Sequence, residues 1–218
     1  DFPGVVPAKP IKIEAALESV VQKAVMTDLP VWNDELYLEE HRGTFTTKAK
    51  LKKLNRRGEQ LYRNAELLSV FAGDYPQAKL TAGWQTILLN QFHDSLPGSH
   101  IPPVYLDLQE AYAEALTAGE QVRDAALAKL AGQINTQGVG EPVVVFNTLS
   151  QERSSLVQME YPEKDVQVLD PKGVAVPHQF ITHYETGKRV LVFTAKDLPS
   201  VGYAVYRIVP GKGAAASP

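Results

Sequence analysis

The clearest pattern in the chain is a set of apolar and small residues spaced three and four positions apart between residues 47 and 72. They are Leu51, Leu54, Gly58, Leu61, Ala65, Leu68 and Ala72. This spacing places them along one side of an α-helix, and basic residues fill the other sides. Gly73 follows as a stop signal, because glycine readily adopts the left-handed conformation that ends many helices. The pattern predicts a long amphipathic helix over residues 47–72.

Two further helices are predicted after this one. The shorter, over residues 77–92, carries on one side Leu80, Trp84, Ile87, Leu88 and Gln91. The longer, over residues 103–134, has a stripe of Tyr105, Leu108, Tyr112, Ala115, Gly119, Val122, Ala126 and Leu130. Small residues in the stripes allow close helix packing, and brief turns join the helices. We therefore predict a three-helix bundle over residues 47–135.

The pattern changes to short strands after a segment rich in glycine and proline at residues 136–142. Runs of β-branched and aromatic residues, separated by turn residues, occupy residues 143–147, 154–161, 167–169, 174–181, 189–194 and 202–209. This spacing is typical of an antiparallel sandwich. The predicted fold class is therefore α+β, a three-helix bundle followed by an antiparallel β-sandwich-like domain over residues 142–210.

The two ends of the chain carry weaker signals. Residues 1–46 form a lead-in segment, with an amphipathic helix near residues 11–26 and a strand at residues 35–39. Residues 211–218 are expected to be a disordered tail. Among the aromatic residues we expect a core position for Trp32, Trp84, Tyr105 and Tyr112. We expect exposure for Tyr37, Phe45 and Phe92.

Composition limits the kinds of partner. The net charge of −3 gives no general reason to expect nucleic acid or a membrane. The basic run at residues 48–57 is interpreted as a solvated helix face. The chain has no cysteine, which excludes disulfides and thiolate metal sites. From the lack of cysteine and of a leader we expect a cytoplasmic protein, and self-association into a homo-oligomer stays open.

Two groups of residues can carry chemistry. His93 and Asp94 fall at the end of the second predicted helix, where an imidazole and a carboxylate can reach a cleft. The alternative is a histidine that caps the helix and an aspartate that starts a turn. His41 and Arg42, followed by Gly43, are the second candidate. The alternative there is a junction in which a threonine, at 44, 46 or 47, caps the long helix.

The string around His93 resembles a signature of glycoside hydrolase family 38. Residues 88–94 read Leu-Leu-Asn-Gln-Phe-His-Asp, and residues 96–99 read Leu-Pro-Gly-Ser. Residues 35–47 and the Lys-Lys-Leu-Asn-Arg-Arg string at residues 52–57 resemble the same family, in the same order. The resemblance is firm across the bundle and looser across the β part.

The resemblance implies a retaining α-mannosidase with one zinc ion. His93 would then be a zinc ligand, and Asp94 would accept hydrogen bonds from mannose hydroxyls. His41 and Arg42 would line the mannose cleft. The expected substrate is a mannose-containing glycan or oligosaccharide.

The chain departs from the complete family pattern because no His-x-Asp motif occurs in it. We therefore expect the N-terminal catalytic α/β domain, with the nucleophile, the acid and the other zinc ligands, to be absent from this chain. A piece with one histidine ligand should be inactive alone. The face with His41, Phe45 and Phe92, which that domain would cover, should expose an apolar patch. The alternative is a non-catalytic carbohydrate-binding or interaction module.

Overall fold

The computed structural model describes residues 12–23, 31–35, 39–163 and 165–211. The chain divides into two units, Asp1–Arg42 and Gly43–Pro218. The first unit contains helix α1 (Ile13–Lys23), close to the helix predicted for residues 11–26. Residues 36–38 of the predicted strand lie outside the described residues, and Glu39 begins a 3-10 helix, Glu39–Phe45. Trp32 is 67% exposed, so its predicted core position is wrong.

The second unit begins with the three predicted helices of the bundle. They are α2 (Ala49–Ala72), α3 (Gln77–Leu89) and α4 (Pro102–Ala131). α2 ends as predicted at Gly73, whose φ of 66° is left-handed. The amides of Gly73 and Asp74 then bind Val70 O and Ser69 O, which satisfies two carbonyls at the helix end.

The bundle closes around Tyr62, whose side chain is almost completely buried. Its hydroxyl donates to Ala115 O at 2.7 Å. The ring lies in a slot made by two glycines, Gly83 on α3 and Gly119 on α4. A Cβ added to Gly83 would lie 1.8 Å from the Tyr62 hydroxyl oxygen, and one added to Gly119 would lie 2.7 Å from the ring. Gly119 belongs to a predicted stripe and allows this close approach as expected, whereas Gly83 lies outside the stripe predicted for the second helix.

The start of α2 differs from the expectation of a threonine cap. Lys48 occupies the N-cap position with a left-handed φ of 54° and makes no side-chain cap bond. The hydroxyl groups of Thr46 and Thr47 donate to Gly43 O instead, at 3.3 and 2.6 Å. The threonine cap is therefore wrong, because these hydroxyl groups bind a carbonyl of the preceding turn rather than the first amides of α2.

The β part of the second unit has two antiparallel sheets among the described residues. Its strands are β1 (Glu141–Asn147), β2 (Arg153–Glu160), β3 (Val166–Leu169), β4 (Ala175–Val176), β5 (His178–Thr182), β6 (Arg189–Leu198) and β7 (Gly202–Pro210). The strand orders are β1-β7-β3-β4 and β2-β6-β5. Their inner faces share a core that includes Val168, Leu191, Phe193 and Tyr206. The predicted α+β class is confirmed.

One predicted strand, over residues 174–181, is wrong as a single element. It forms two strands that belong to different sheets, since β4 pairs with β3 and β5 pairs with β6. Pro177 lies between them. Proline has no amide hydrogen and cannot continue a ladder of hydrogen bonds, so the chain passes from one sheet to the other at this residue.

Contacts between side chains and backbone connect the bundle with the β part. Arg63 Nη2 donates to Thr148 O at 3.0 Å, and the Thr148 hydroxyl donates to Asn64 Oδ1 at 2.9 Å. Residues 212–218, which include nearly all of the predicted tail, lie outside the described residues. In the described part of the chain, none of the helices has the length and apolar character needed to cross a bilayer.

Candidate functional site

The segment after α3 carries the His93–Asp94 pair. α3 ends at Leu89 with Asn90 as its C-cap, three residues before the predicted end at residue 92. Consecutive turns follow, in which Ser95 N donates to Phe92 O and Gly98 N donates to Ser95 O. His93 therefore lies within a turn and does not cap the helix. We call residues 90–100 the post-α3 turn.

His93 and Asp94 stand side by side on the surface of this turn. Their side chains are 76% and 61% exposed, and His93 Nε2 lies 3.5 Å from Asp94 Oδ2. The ring of Phe92 packs on the His93 ring, with centroids 4.2 Å apart. The Ser99 hydroxyl donates to Asp94 Oδ1 at 2.8 Å. An imidazole nitrogen and a carboxylate are thus presented together to solvent.

The backbone of the pair is also held from its C-terminal side. His100 Nδ1 lies 2.9 Å from Asp94 O. The His100 ring lies nearly parallel to the ring of Tyr105 on α4, with their centroids 6.1 Å apart. Gly98 adopts a left-handed φ of 86° and is buried against Thr47 and Lys48. A Cβ there would lie 2.9 Å from Lys48 Cγ and 3.0 Å from Thr47 Cγ2. The turn therefore requires glycine at this position.

A polar network holds the N-terminal side of the turn. Gln91 Nε2 donates to Asn55 Oδ1 and to Glu59 Oε1, each at 3.0 Å. The Tyr112 hydroxyl on α4 donates to the same Asn55 oxygen at 3.2 Å. Burial, with a smaller contribution from the charge of Glu59, raises the pKa of Tyr112 to about 12. The network thus connects α2 and α4 to Gln91, the residue two positions before His93.

Lys52 holds the middle of the turn. Its Nζ donates to Leu96 O at 2.8 Å, to Pro97 O at 3.3 Å and to Thr47 O at 2.6 Å. Partial burial lowers the pKa of Lys52. The interpretation of residues 48–57 as a solvated face is therefore wrong for this residue, although the neighbouring Lys53 is exposed.

His41 and Arg42 lie in the 3-10 helix at the end of the first unit. Both are exposed, and His41 departs from helical backbone with φ −114° and ψ 17°. The backbone at Gly43 does not require glycine, because a Cβ there would meet only Thr47 Oγ1 at 3.7 Å. The role of His41 and Arg42 at a mannose cleft stays a prediction.

The aromatic residues beside the motifs are exposed where the structure describes them. Phe45 is 82% and Phe92 is 57% exposed, and Leu89 at the end of α3 is also exposed. Tyr37 lies outside the described residues. Phe92 is part of the post-α3 turn and Leu89 precedes it directly, so apolar side chains are exposed at this turn. A continuous apolar patch that includes His41 stays a prediction.

The donor atoms of the described residues determine whether this part of the chain can hold a metal. Zinc sites in proteins are commonly tetrahedral, with three or four nitrogen, sulfur or carboxylate ligands from the protein. Within the described residues, no group of three or more histidine, cysteine, aspartate or glutamate side chains is close enough to hold a metal. The described residues therefore do not form a zinc site by themselves. His93 and Asp94 offer one imidazole and one carboxylate, and any further ligands would have to come from elsewhere.

Sequence reasoning found His93 and Asp94 but missed the residues that support them. Ser99 and Gly98 stood in the matched string without an assigned role, and His100 had none. Lys52 began the second matched string, Lys-Lys-Leu-Asn-Arg-Arg, but its periodicity indicated only a helix surface. The one available signal was that both strings match the same family in the same order.

The comparisons with known proteins match the region that carries the post-α3 turn. Residues 39–130, which include the bundle helices α2 and α3, the post-α3 turn and nearly all of α4, match the family model described as "Alpha mannosidase middle domain". Alpha-mannosidase 2C1 of Homo sapiens is 35% identical over 168 residues, which cover 74% of this chain and 15% of that protein. The mouse protein of the same name is 38% identical over 141 residues, which cover 62% of this chain and 13% of that protein.

Solved structures share the fold. An alpha-mannosidase from Enterococcus faecalis superposes with a TM-score of 0.65 and 22% identity, covering 94% of this chain and 29% of that chain. A protein in glycosyl hydrolase family 38 from the same organism superposes with a TM-score of 0.66 and 21% identity. The match covers 95% of this chain and 29% of that chain. The matched part of the chain is thus an α-mannosidase middle domain. The chain belongs to glycoside hydrolase family 38 and spans only a small part of the length of its curated relatives.

Proposed function

We propose that this chain is part of a zinc-dependent, retaining α-mannosidase that hydrolyses terminal α-linked mannose from glycans or oligosaccharides. The observation that carries the proposal is the exposed His93–Asp94 pair on a turn held by the bundle, within the region that matches the α-mannosidase middle domain. The chain supplies one zinc ligand and part of the sugar site. By itself it is inactive.

His93 and Asp94 have different roles in this proposal. His93 donates an imidazole nitrogen to the zinc, which when bound supplies Lewis-acid stabilisation of charge. Asp94 accepts hydrogen bonds from mannose hydroxyls. Oδ1 of that carboxylate accepts from Ser99 and Oδ2 lies 3.5 Å from His93 Nε2, and each carboxylate oxygen has a second lone pair for a sugar hydroxyl. The Ser99 bond also fixes the rotation of the carboxylate, which lowers the entropy lost when a sugar binds.

The remaining parts of the site come from an N-terminal α/β domain of the same protein. A retaining glycosidase needs two carboxyl groups about 5–5.5 Å apart, as nucleophile and acid. We assign both to that domain, together with the other zinc ligands. His41 and Arg42 line the mannose cleft. Exposed Phe92 and Leu89 give that domain apolar surface to cover. We further propose a cytoplasmic location.

The test uses the complete protein that carries this chain. His93→Ala should remove most of the bound zinc and most turnover. Asp94→Asn should keep the zinc but lower kcat/KM by about 10- to 150-fold, since a hydrogen bond to a charged group contributes about 1.5–3 kcal/mol. His183→Ala, in the turn between β5 and β6, is the matched control and should change neither zinc content nor turnover. Zinc content is measured beside kinetics with a mannoside substrate.

Two results would contradict the proposal. Full zinc occupancy with normal turnover in His93→Ala would exclude the histidine as a ligand. Normal kcat/KM in Asp94→Asn would exclude the carboxylate from the sugar site. If both variants behaved like the control, the non-catalytic module would become the better interpretation of this chain.

A further inference from the structure

Lys52 holds the post-α3 turn with all three of its proton donors. An ammonium group has three N–H donors and no acceptor. Lys52 Nζ lies within hydrogen-bonding distance of three backbone carbonyls, those of Thr47, Leu96 and Pro97. Two of these carbonyls come from the turn, 44 and 45 residues away in sequence. The side chain therefore fastens the turn to the first turn of α2.

The contact acts close to the His93–Asp94 pair. Leu96 follows Asp94 by two residues, and its amide donates to Phe92 O at 3.2 Å while its carbonyl accepts from Lys52. The chain from Phe92 to Leu96 is thus a closed loop with Lys52 bound at its base. A displacement of the Leu96 carbonyl would be transmitted through this loop to the backbone of both exposed residues.

Two backbone carbonyls that point at the same place need a cation or several hydrogen-bond donors between them. The carbonyls of Leu96 and Pro97 converge on one point, where their partial negative charges repel each other. Hydrogen bonds from a charged donor are about twice as strong as neutral ones, so the ammonium stabilises this arrangement where a neutral side chain of similar length would not. Lys53, one position further, is exposed and is not among the donors to the turn.

We propose that Lys52 is a positioning residue for the reaction of the complete enzyme, acting through His93 and Asp94. The inference rests on the proposed function. Removing the ammonium releases the Leu96 and Pro97 carbonyls and shifts the exposed pair without unfolding the bundle. A misplacement of about 1 Å at a reacting group can cost about 100-fold in rate, and we expect a loss of this size in kcat.

The experiment compares Lys52→Met with Lys53→Met in the complete enzyme. Lys52→Met should lower kcat by about 100-fold and leave the thermal midpoint of the bundle nearly unchanged, whereas Lys53→Met should leave kcat at the wild-type value. Amide hydrogen exchange should increase at Ser95, Leu96 and Gly98 in the first variant alone. Lys52→Arg keeps the charge but spreads its donors over a plane, so it should give an intermediate loss.

A double-mutant cycle separates positioning from general damage. If Lys52 acts through Asp94, adding Lys52→Met to the Asp94→Asn enzyme should lower kcat by far less than about 100-fold. Losses that multiply in full would overturn the part of the inference that runs through Asp94, because Lys52 would then act independently of that carboxylate.

The outcomes distinguish this inference from the proposed function. If His93→Ala and Asp94→Asn lose activity but Lys52→Met does not, the role of Lys52 is overturned and the proposed function stands. If His93→Ala and Asp94→Asn both keep full activity, both proposals are overturned. If Lys52→Met fails to fold, Lys52→Arg and the exchange of the turn amides decide the question, and wild-type exchange with wild-type kcat in Lys52→Arg overturns the inference.

Discussion

Gly98→Ala should disturb the post-α3 turn in two ways that can be measured separately. The backbone φ of 86° is strained for alanine, and the new Cβ would meet Thr47 and Lys48. A matched control exists at Gly73, the C-terminal stop of α2. Its φ of 66° is also left-handed, but nothing lies within 4 Å of a Cβ there. Gly73→Ala therefore measures backbone strain alone.

The magnitudes follow from this difference. Left-handed backbone costs a residue with a Cβ about 1–2 kcal/mol, and both variants should lose this amount of unfolding free energy. Crowding of a packed site typically adds about 1–3 kcal/mol. The far end of Lys48 can rotate away, but Lys48 Cβ at 3.1 Å is fixed to the main chain. Gly98→Ala should therefore lose about 2 kcal/mol more than Gly73→Ala.

Thermal unfolding followed by circular dichroism measures this difference. For a chain of this size, 1 kcal/mol corresponds to about 2–4 °C, so the midpoint of Gly98→Ala should lie about 4–8 °C below that of Gly73→Ala. Equal midpoints, with unchanged amide exchange at Ser95 and Leu96, would refute the reasoning. Such a result would mean that the turn accommodates a side chain at residue 98 without moving.

Two further predictions concern the bundle core. Gly83→Ala should lower the unfolding free energy by about 1–3 kcal/mol, because the new methyl displaces Tyr62, although alanine is the better helix former. Gly132→Ala is the control in the same urea titration, because a Cβ there meets its neighbours at 3.5 Å or more. Equal midpoints of the two variants would contradict the close packing of Tyr62 against Gly83. The pKa of Tyr112 is raised from 10.0 to about 12, so the folded state holds this proton more tightly and stability should fall as pH rises from about 10 to about 12. Tyr112→Phe should reduce this pH dependence of the unfolding free energy, measured by urea titrations at several pH values across the range. An unchanged pH dependence would mean that other groups cause it.

The helices could be predicted because each of them buries one continuous side. The stripe of α2, from Leu51 to Ala72, repeats at helical spacing and is buried as expected. The end of α3 could not be predicted in the same way, because Phe92 continues the apolar pattern of Leu88 and Leu89 beyond the last helical residue, Leu89. They are exposed in the structure. A sequence pattern alone does not distinguish exposed apolar residues of this kind from core residues.

The β part shows a similar limit. The periodicity of residues 174–181 fits one strand, and only Pro177 signals the change of sheet. Which sheet each half joins depends on pairing partners far along the chain, with β4 on β3 and β5 on β6. Pairing of this kind is set by tertiary packing, so local sequence patterns could give the class of the fold but not the order of its strands.

The candidate site combines exposed chemistry with buried support. His93 and Asp94 were found from a string that resembles a family. The role of Lys52 could not be predicted in this way, because its partners are backbone carbonyls, which every residue has, and no sequence spacing indicates which of them it binds. The bundle holds the backbone of the turn, so the pair can stay in place while both side chains are open to solvent. Loss of the Lys52 contact, which introduces no backbone strain and no steric clash, should therefore affect turnover more than stability, and changes to the Tyr62 slot should do the reverse. Comparing Lys52→Met with Gly83→Ala in one enzyme tests this division directly, and parallel losses of turnover and stability in both would show that the turn and the bundle core behave as a single unit.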